Sequence, residues 1–279
     1  MTSTAMVDVG AANTNDPWTA PPGTAMFGRS GDLEQVLRRL AEGVRIVTLT
    51  GRAGVGKTRL AEAVERRLVR DGVTAHRVGL VGLDDADLVM AEVASVLGVH
   101  PLPGSDIADA VISWIGAQRL VLVLDNFEHL LMAAAAVHEC IERCAALQVI
   151  VTSQAPLRLR SEHVFSLPTL PVPATHVVDV HDLATMPAVA LYCERAQVAD
   201  RHFLMDESNA ADIAELCRRL DGLPLAIELA AARAAMLPPD AILRALDATD
   251  LAVLRRPRRD APVRHHDLSA AIALSLIHI

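Results

Sequence analysis

Apolar positions along this chain follow two different periods, and the order in which they alternate predicts the architecture. From Arg45 the run "RIVTLT" is short, rich in β-branched residues and closed by glycine, the pattern of a buried strand. "KTRLAEAVERRLVRDG" then takes up helical spacing and ends at Asp71-Gly72, a stop signal. Further buried strands are expected at "HRVGLV", "RLVLVLD", "LQVIVTS" and "HVFSL", separated by helical patterns at "DADLVMAEVASVLG", "DIADAVISWIGAQ" and "EHLLMAAAAVHECIERC". Strands alternating with helices predict a parallel sheet covered on both faces. "LPTLPVPAT" interrupts the alternation, because its prolines can continue neither element, and marks a domain boundary. Beyond it, "MPAVALYCERAQVADRHF", "NAADIAELCRRLDG" and "LPLAIELAAARAAML" all carry helical spacing, so the second part is expected to be all-helical.

Composition narrows this picture. The 279 residues are 52% hydrophobic but only 3% aromatic, so the core must be built from Ala, Val, Leu and Ile. The net charge of -8 argues against nucleic-acid binding by bulk electrostatics, and the run "RRPRRD" at Arg255 reads as a solvated loop. Cys140, Cys144, Cys193 and Cys217 form no CxxC pair and read as reduced, buried thiols of a reducing compartment. No apolar run is long enough to span a membrane, and the N-terminal stretch lacks the basic and apolar regions of a secretory signal. A cytoplasmic location without membrane contact is expected.

The candidate chemistry centres on "GRAGVGKTRL". Gly51, Gly56, Lys57 and Thr58 complete GxxxxGK[ST], the phosphate-binding P-loop, between a predicted strand and a predicted helix. Lys57 is the only lysine of the chain; the other 25 of its 26 basic residues are arginines. A compact ammonium fits between β- and γ-phosphate oxygens where a planar guanidinium does not, which explains its retention. Gly51 and Gly56 let the backbone wrap, with Gly54, Val55 and Arg59 completing the cradle of N–H groups at the helix start. Thr58 offers a hydroxyl to Mg2+, and Asp125, at the end of "LVLVLD", offers a carboxylate to the same ion. Asn126 stands where many hydrolysing P-loop proteins carry a second acid. Glu128, the nearest carboxylate, is a candidate catalytic group that polarises the attacking water; it reads equally well as helix N-terminal charge. His129 reads as a packing or capping residue.

Several stretches together resemble one family. "FGRSGDLEQV", "VTLTGRAGVGKTRLA", "VLVLDNFEHLL", "VTSQAPLRLRSEHVFSLPTL", "AVALYCERA" and "CRRLDGLPLAIELAAAR" follow the order of signal-transduction ATPases with numerous domains (STAND). Among these the chain is most similar to the NB-ARC-like module of bacterial SARP and LuxR-type transcriptional regulators. The resemblance implies that Arg29 lies near the base or ribose and that Pro224, in "GLPLA", reaches adenine with Leu223 and Leu225 behind it. The two domains would then close on one ATP or ADP. Where many relatives carry an arginine that senses the γ-phosphate, this chain has Gln154, whose neutral amide hydrogen-bonds without supplying charge. With Asn126 this implies tight nucleotide binding and slow Mg2+-dependent hydrolysis.

The resulting expectation is an α/β P-loop NTPase with a parallel five-stranded sheet, a small all-helical domain and the truncated start of a winged helix. Its divisions are residues 1–26, a disordered arm; 27–172, the nucleotide-binding domain; 175–250, the helical lid; and 251–279, the winged-helix start. The last six residues, "LSLIHI", are also what a transposon-based sequencing adapter would encode, so native sequence is expected to end near Ala273. Sensor and DNA-binding domains would lie beyond that point, with DNA not bound by this part, and an ATP-dependent oligomer fits the same reading. The expected function is a nucleotide-dependent regulatory switch. The alternatives are a stand-alone P-loop ATPase enzyme and a non-hydrolysing ATP-binding scaffold.

Overall fold

The computed structural model describes residues 26–101, 104–176 and 179–247. The N-terminal arm, the basic run at Arg255 and the expected winged-helix start lie outside them. The described chain divides into two units. One holds Arg29–Arg52 and Gly56–Pro168; the other holds the described residues up to Gly28, Ala53–Val55 and those from Thr169 onward.

The first unit is an α/β layer structure. Its five strands are β1 (Ile46–Thr50), β2 (Thr74–Gly79), β3 (Leu120–Asp125), β4 (Leu147–Thr152) and β5 (Glu162–Ser166). They pair in parallel in the order β2-β3-β4-β1-β5, which establishes the expected five-stranded sheet. Every residue of β1, β3 and β4 is buried, as near-continuous apolar runs in a covered parallel sheet should be. The edge strands β2 and β5 are mostly partly buried or exposed, with Val78 of β2 the fully buried exception.

Helices α1 (Ser30–Ala41), α2 (Lys57–Arg70), α3 (Val89–Leu97), α4 (Ile107–Ile115) and α5 (Ala134–Arg143) belong to this unit. The helical pattern from Asp85 opens instead as a 3₁₀ turn, Ala86–Leu88, with the Asp85 carboxylate accepting from the Asp87 N–H. The pattern from Glu128 likewise starts late, with a 3₁₀ turn at Leu131–Ala133 before α5. Glu128 therefore precedes the helix by more than a turn and is not its N-terminal charge. Two polar side chains fasten the sheet to its helices. Arg45 Nε donates to Leu147 O at 2.7 Å, while its Nη2 donates to Ile141 O at 2.6 Å and to Cys144 O. Gln148 Nε2 donates to both Leu40 O and Val44 O at 2.8 Å.

The second unit is helical in its C-terminal part, with α6 (Val180–Thr185), α7 (Pro187–Ala199), α8 (Ala210–Arg219), α9 (Pro224–Ala231) and α10 (Pro239–Asp247). Proline opens both α7 and α9, where the missing N–H costs nothing. α7 packs against α8 and α9, with Tyr192 fully buried and its ring edge-on to Phe203 at 5.9 Å. Gly222, with φ +61°, ends α8 in the left-handed region; a Cβ there would lie 2.1 Å from Leu170 O. Its carbonyl accepts from the Leu170 N–H at 2.9 Å, tying the proline-rich segment to the end of α8. All four cysteines are free and buried. Among the described residues no helix is long and apolar enough to cross a membrane.

Candidate functional site

Three strand ends meet in the α/β unit because β4 lies between β3 and β1. The register aligns Leu49 with Thr152 and Leu124 with Val151, so the residues following β1, β3 and β4 emerge side by side. This is the carboxyl edge of a parallel sheet, where such folds hold ligands. The P-loop leaves β1, Asp125 ends β3, and Thr152, Ser153 and Gln154 end or follow β4.

The loop enters α2 through Gly56, its N-cap, at φ 103°, while Gly51 has φ 147° and Gly54 φ 79°. No acidic residue occupies the first turn of α2, so the partial positive charge of the helix start is left for an external anion. Val55 is buried and Arg59 lies half-buried in that first turn. Lys57 Nζ donates to Gly51 O at 2.9 Å and Arg52 O at 3.2 Å. Burial lowers its pKa from the ordinary lysine value, and the charges of Glu128 and then Asp125 act in the opposite sense. A partly desolvated ammonium between two carboxylates and loop carbonyls is a site prepared for further anionic oxygens.

Asp125 is the hub of the site. It is 3% exposed, and its Oδ1 accepts from both the Thr58 and the Thr152 hydroxyls at 2.7 Å. Thr152 Oγ1 in turn accepts the Asn126 N–H at 2.8 Å, and its carbonyl accepts the Phe127 N–H at 2.9 Å. Asn126 adopts φ 72°, a left-handed conformation that Asn tolerates better than most residues. Because the Thr58 proton is committed to Asp125, the hydroxyl oxygen keeps its lone pairs for a hard cation, and the carboxylate stands beside it. This donor set fits Mg2+, which takes few protein oxygens and completes its shell with phosphate and water. Among the described residues there is no cluster of three or more His, Cys, Asp or Glu side chains able to hold a metal alone.

The remaining expected residues are placed as follows. Gln154 Nε2 donates to Glu128 Oε1 at 3.1 Å, while Glu128 Oε2 is buried without a hydrogen-bond partner. The exposed His129 has Nε2 2.7 Å from Leu83 O and Nδ1 3.5 Å from the Asn126 amide, so it fastens the loop after β3 to the segment after β2. Arg29 is 7% exposed, with Nη1 3.0 Å from Asp32 Oδ2 and Nη2 donating to Pro168 O at 2.6 Å. Pro224 is the first residue of α9, and within the second unit its neighbour Leu225 donates its N–H to Gly54 O at 3.3 Å. Thr152 was not among the expected site residues. The signal for it is a hydroxyl residue closing an apolar strand, which becomes informative only once the strand is known to adjoin β3.

Residues 39–160 match the family profile described as an AAA domain. A Mycobacterium tuberculosis protein named, by inference, as an HTH-type transcriptional regulator is 38% identical over 213 residues, covering 76% of this chain and 23% of that protein. A second M. tuberculosis protein, named only as uncharacterized, is 35% identical over 226 residues, covering 80% of this chain and 54% of its own length. The chain thus spans about a quarter of the first relative and about half of the second. Among solved structures, Cdc6p from Pyrobaculum aerophilum is similar in fold, with a TM-score of 0.55 at 15% identity over 82% of this chain and 65% of that one.

Proposed function

Starting from a P-loop NTPase domain of AAA type, we propose that this chain is an ATP- and ADP-binding switch module of a bacterial transcriptional regulator, hydrolysing ATP slowly with Mg2+. The observation that carries the reading is the pairing of Thr58 with Asp125 at 2.7 Å beside a complete GxxxxGK[ST] loop. Hydroxyl and carboxylate would hold Mg2+, which when bound neutralises charge on the β- and γ-phosphates. Lys57 would exchange its loop carbonyls for phosphate oxygens, and the N–H groups from Gly54 to Arg59 would bind the rest of the phosphate chain. On the family resemblance alone, Arg29 and Pro224 are the proposed contacts to ribose or base. ATP and ADP differ by one phosphoryl group in charge and reach, so each favours a different state of the chain in proportion to its differential affinity. The regulator name of a relative supports the downstream role. The STAND branch with NB-ARC, SARP and LuxR features remains a proposal on the motif order, as do the cytoplasmic location and an ATP-dependent oligomer.

The test is calorimetric binding of ATP and ADP with Mg2+ to the wild type and to Lys57→Ala. Binding by the wild type and its loss in the variant are expected. A folded wild type that binds neither nucleotide refutes the reading. Rapid multiple turnover would favour the stand-alone enzyme instead, and equal proteolytic protection by ATP and ADP would favour a passive scaffold.

A further inference from the structure

The parallel connections of the α/β unit run through helices, with a single exception. α2 joins β1 to β2, α3 and α4 lie between β2 and β3, and α5 precedes β4, whereas residues 153–161 join β4 to β5 without a helix. A parallel crossover ordinarily takes about a dozen residues or more, usually as a helix whose backbone groups bond one another. Here the carboxylate of Glu162, the first residue of β5, takes over that bonding. Its Oε1 accepts the Leu157 N–H at 2.8 Å, and its Oε2 accepts the N–H groups of Arg158 at 2.7 Å and Leu159 at 3.3 Å. The Glu162 N–H in turn donates to Leu159 O at 3.1 Å. Arg158 has φ 62°, a left-handed bend of the kind that turns successive N–H groups to one side and forms a backbone nest for an anion. Leu157, 8% exposed, anchors the same turn in the core.

The other end of this connection lies at the phosphate edge. Ser153 and Gln154 leave β4 directly after Thr152, whose hydroxyl binds Asp125. Gln154 is exposed, and a side chain on helix-free backbone stands only as firmly as that backbone is held. We infer that Glu162 is a positioning residue of the nucleotide site: seated in the nest of Leu157, Arg158 and Leu159, its carboxylate holds the crossover so that Gln154 stands where the terminal phosphate of ATP arrives. The inference rests on the ATP reading of the site. Glu162 itself touches no nucleotide, because it pairs in register with Ile46, at the end of β1 away from the P-loop. Its influence falls on ATP rather than ADP, since only ATP carries the phosphoryl group that Gln154 meets. A crossover ordered in advance spares ATP binding the entropy of ordering it, and releasing the nest restores that cost.

The experiment measures amide hydrogen exchange at residues 157–159, and Mg2+-ATP and Mg2+-ADP affinities by calorimetry, for wild type, Glu162→Gln, Arg158→Val and Arg158→Gly. Glutamine keeps the side-chain length but turns one acceptor oxygen into an NH2 donor facing N–H groups. Valine at the exposed Arg158 disfavours the left-handed bend and leaves Glu162 in place, so it carries the test should Glu162→Gln fail to fold. Glycine removes the same side chain but permits the bend. For Glu162→Gln and Arg158→Val the expected result is faster exchange at the three amides and ATP affinity weaker by roughly fivefold, the low end of ordinary coupling between sites, with ADP affinity unchanged. Arg158→Gly should behave as wild type. Unaltered exchange, unaltered ATP affinity, or an Arg158→Gly that loses ATP as Arg158→Val does each overturn the inference while leaving the nucleotide site intact. ATP and ADP affinities that fall together also overturn it, since Glu162 then only supports the fold. A wild type that binds neither nucleotide overturns the ATP reading as well.

Discussion

Replacing Thr152 by valine tests whether Asp125 is held by the sheet or by its own strand. Thr152 is 1% exposed, and its hydroxyl makes two bonds, donating to Asp125 Oδ1 at 2.7 Å and accepting the Asn126 N–H at 2.8 Å. Valine has nearly the same shape, so no cavity or overpacking enters the comparison. The loss has two parts: a hydrogen bond to a charged acceptor, worth about 1.5–3 kcal/mol, and a buried N–H left without a partner, costing about 1–3 kcal/mol. Because Thr58 still donates to the same carboxylate oxygen, the parts will not add fully, and we expect a destabilisation of about 2–4 kcal/mol. Urea unfolding measures it as a fall in midpoint at constant m-value. Thr152→Ser keeps the hydroxyl and should retain most of the stability, losing about one buried methyl group, roughly 1 kcal/mol. A valine variant within about 0.5 kcal/mol of wild type, the range of ordinary surface changes, would refute the claim that this hydroxyl anchors Asp125.

Other outcomes follow from the same structure. Burial lowers the Lys57 pKa, so the ammonium is lost, and ATP affinity with it, as pH rises through a value below the ordinary 10.5; affinity that stays flat up to that pH in calorimetric titrations would contradict the assignment. The corresponding stability effect has the opposite sense, with the penalty for a buried charge relieved as pH climbs from the lowered pKa towards 10.5. Gly222→Ala should prevent folding or lower the unfolding midpoint steeply, because its Cβ would meet Leu170 O at 2.1 Å, whereas Gly43→Ala, at φ +87° in open space, should cost only about 1–2 kcal/mol of left-handed strain. Burial pushes the thiols of Cys140 and Cys193 up to about 12 and raises those of Cys144 and Cys217, so a thiol reagent near about pH 8 should label none of the four until denaturant is added.

The parts of the site that could be read from sequence are those whose chemistry is local. Lys57 stood out as a lone lysine in a complete loop motif, and Asp125 as an acid closing an apolar run. Strands β1, β3 and β4 were legible because each is a near-continuous buried run between turn signals, whereas β2, with His76 and Arg77 in an edge strand, was placed two residues late. Thr152 was not, because its importance depends on β4 lying between β1 and β3, and strand order leaves no trace in periodicity. α1 was also missed, since only Leu33, Val36 and Leu40 among its twelve residues are buried. The bond between Gln154 and Glu128 joins the ends of two strands and has no sequence signature. Glu128 therefore read equally well as helix charge until α5 proved to begin at Ala134.

The guanidinium of Arg29 carries an architectural consequence. The polypeptide comes into the α/β unit at Arg29 and finally departs from it at Pro168, leaving it in between only for Ala53–Val55 of the P-loop, and Nη2 of Arg29 is bonded to the carbonyl of Pro168 at 2.6 Å. Incoming and outgoing chain are thus stitched at one point, the geometry of a cassette. A circular permutant of this unit joined near this point would leave the sheet unstretched, provided the P-loop residues Ala53–Val55 are carried with it.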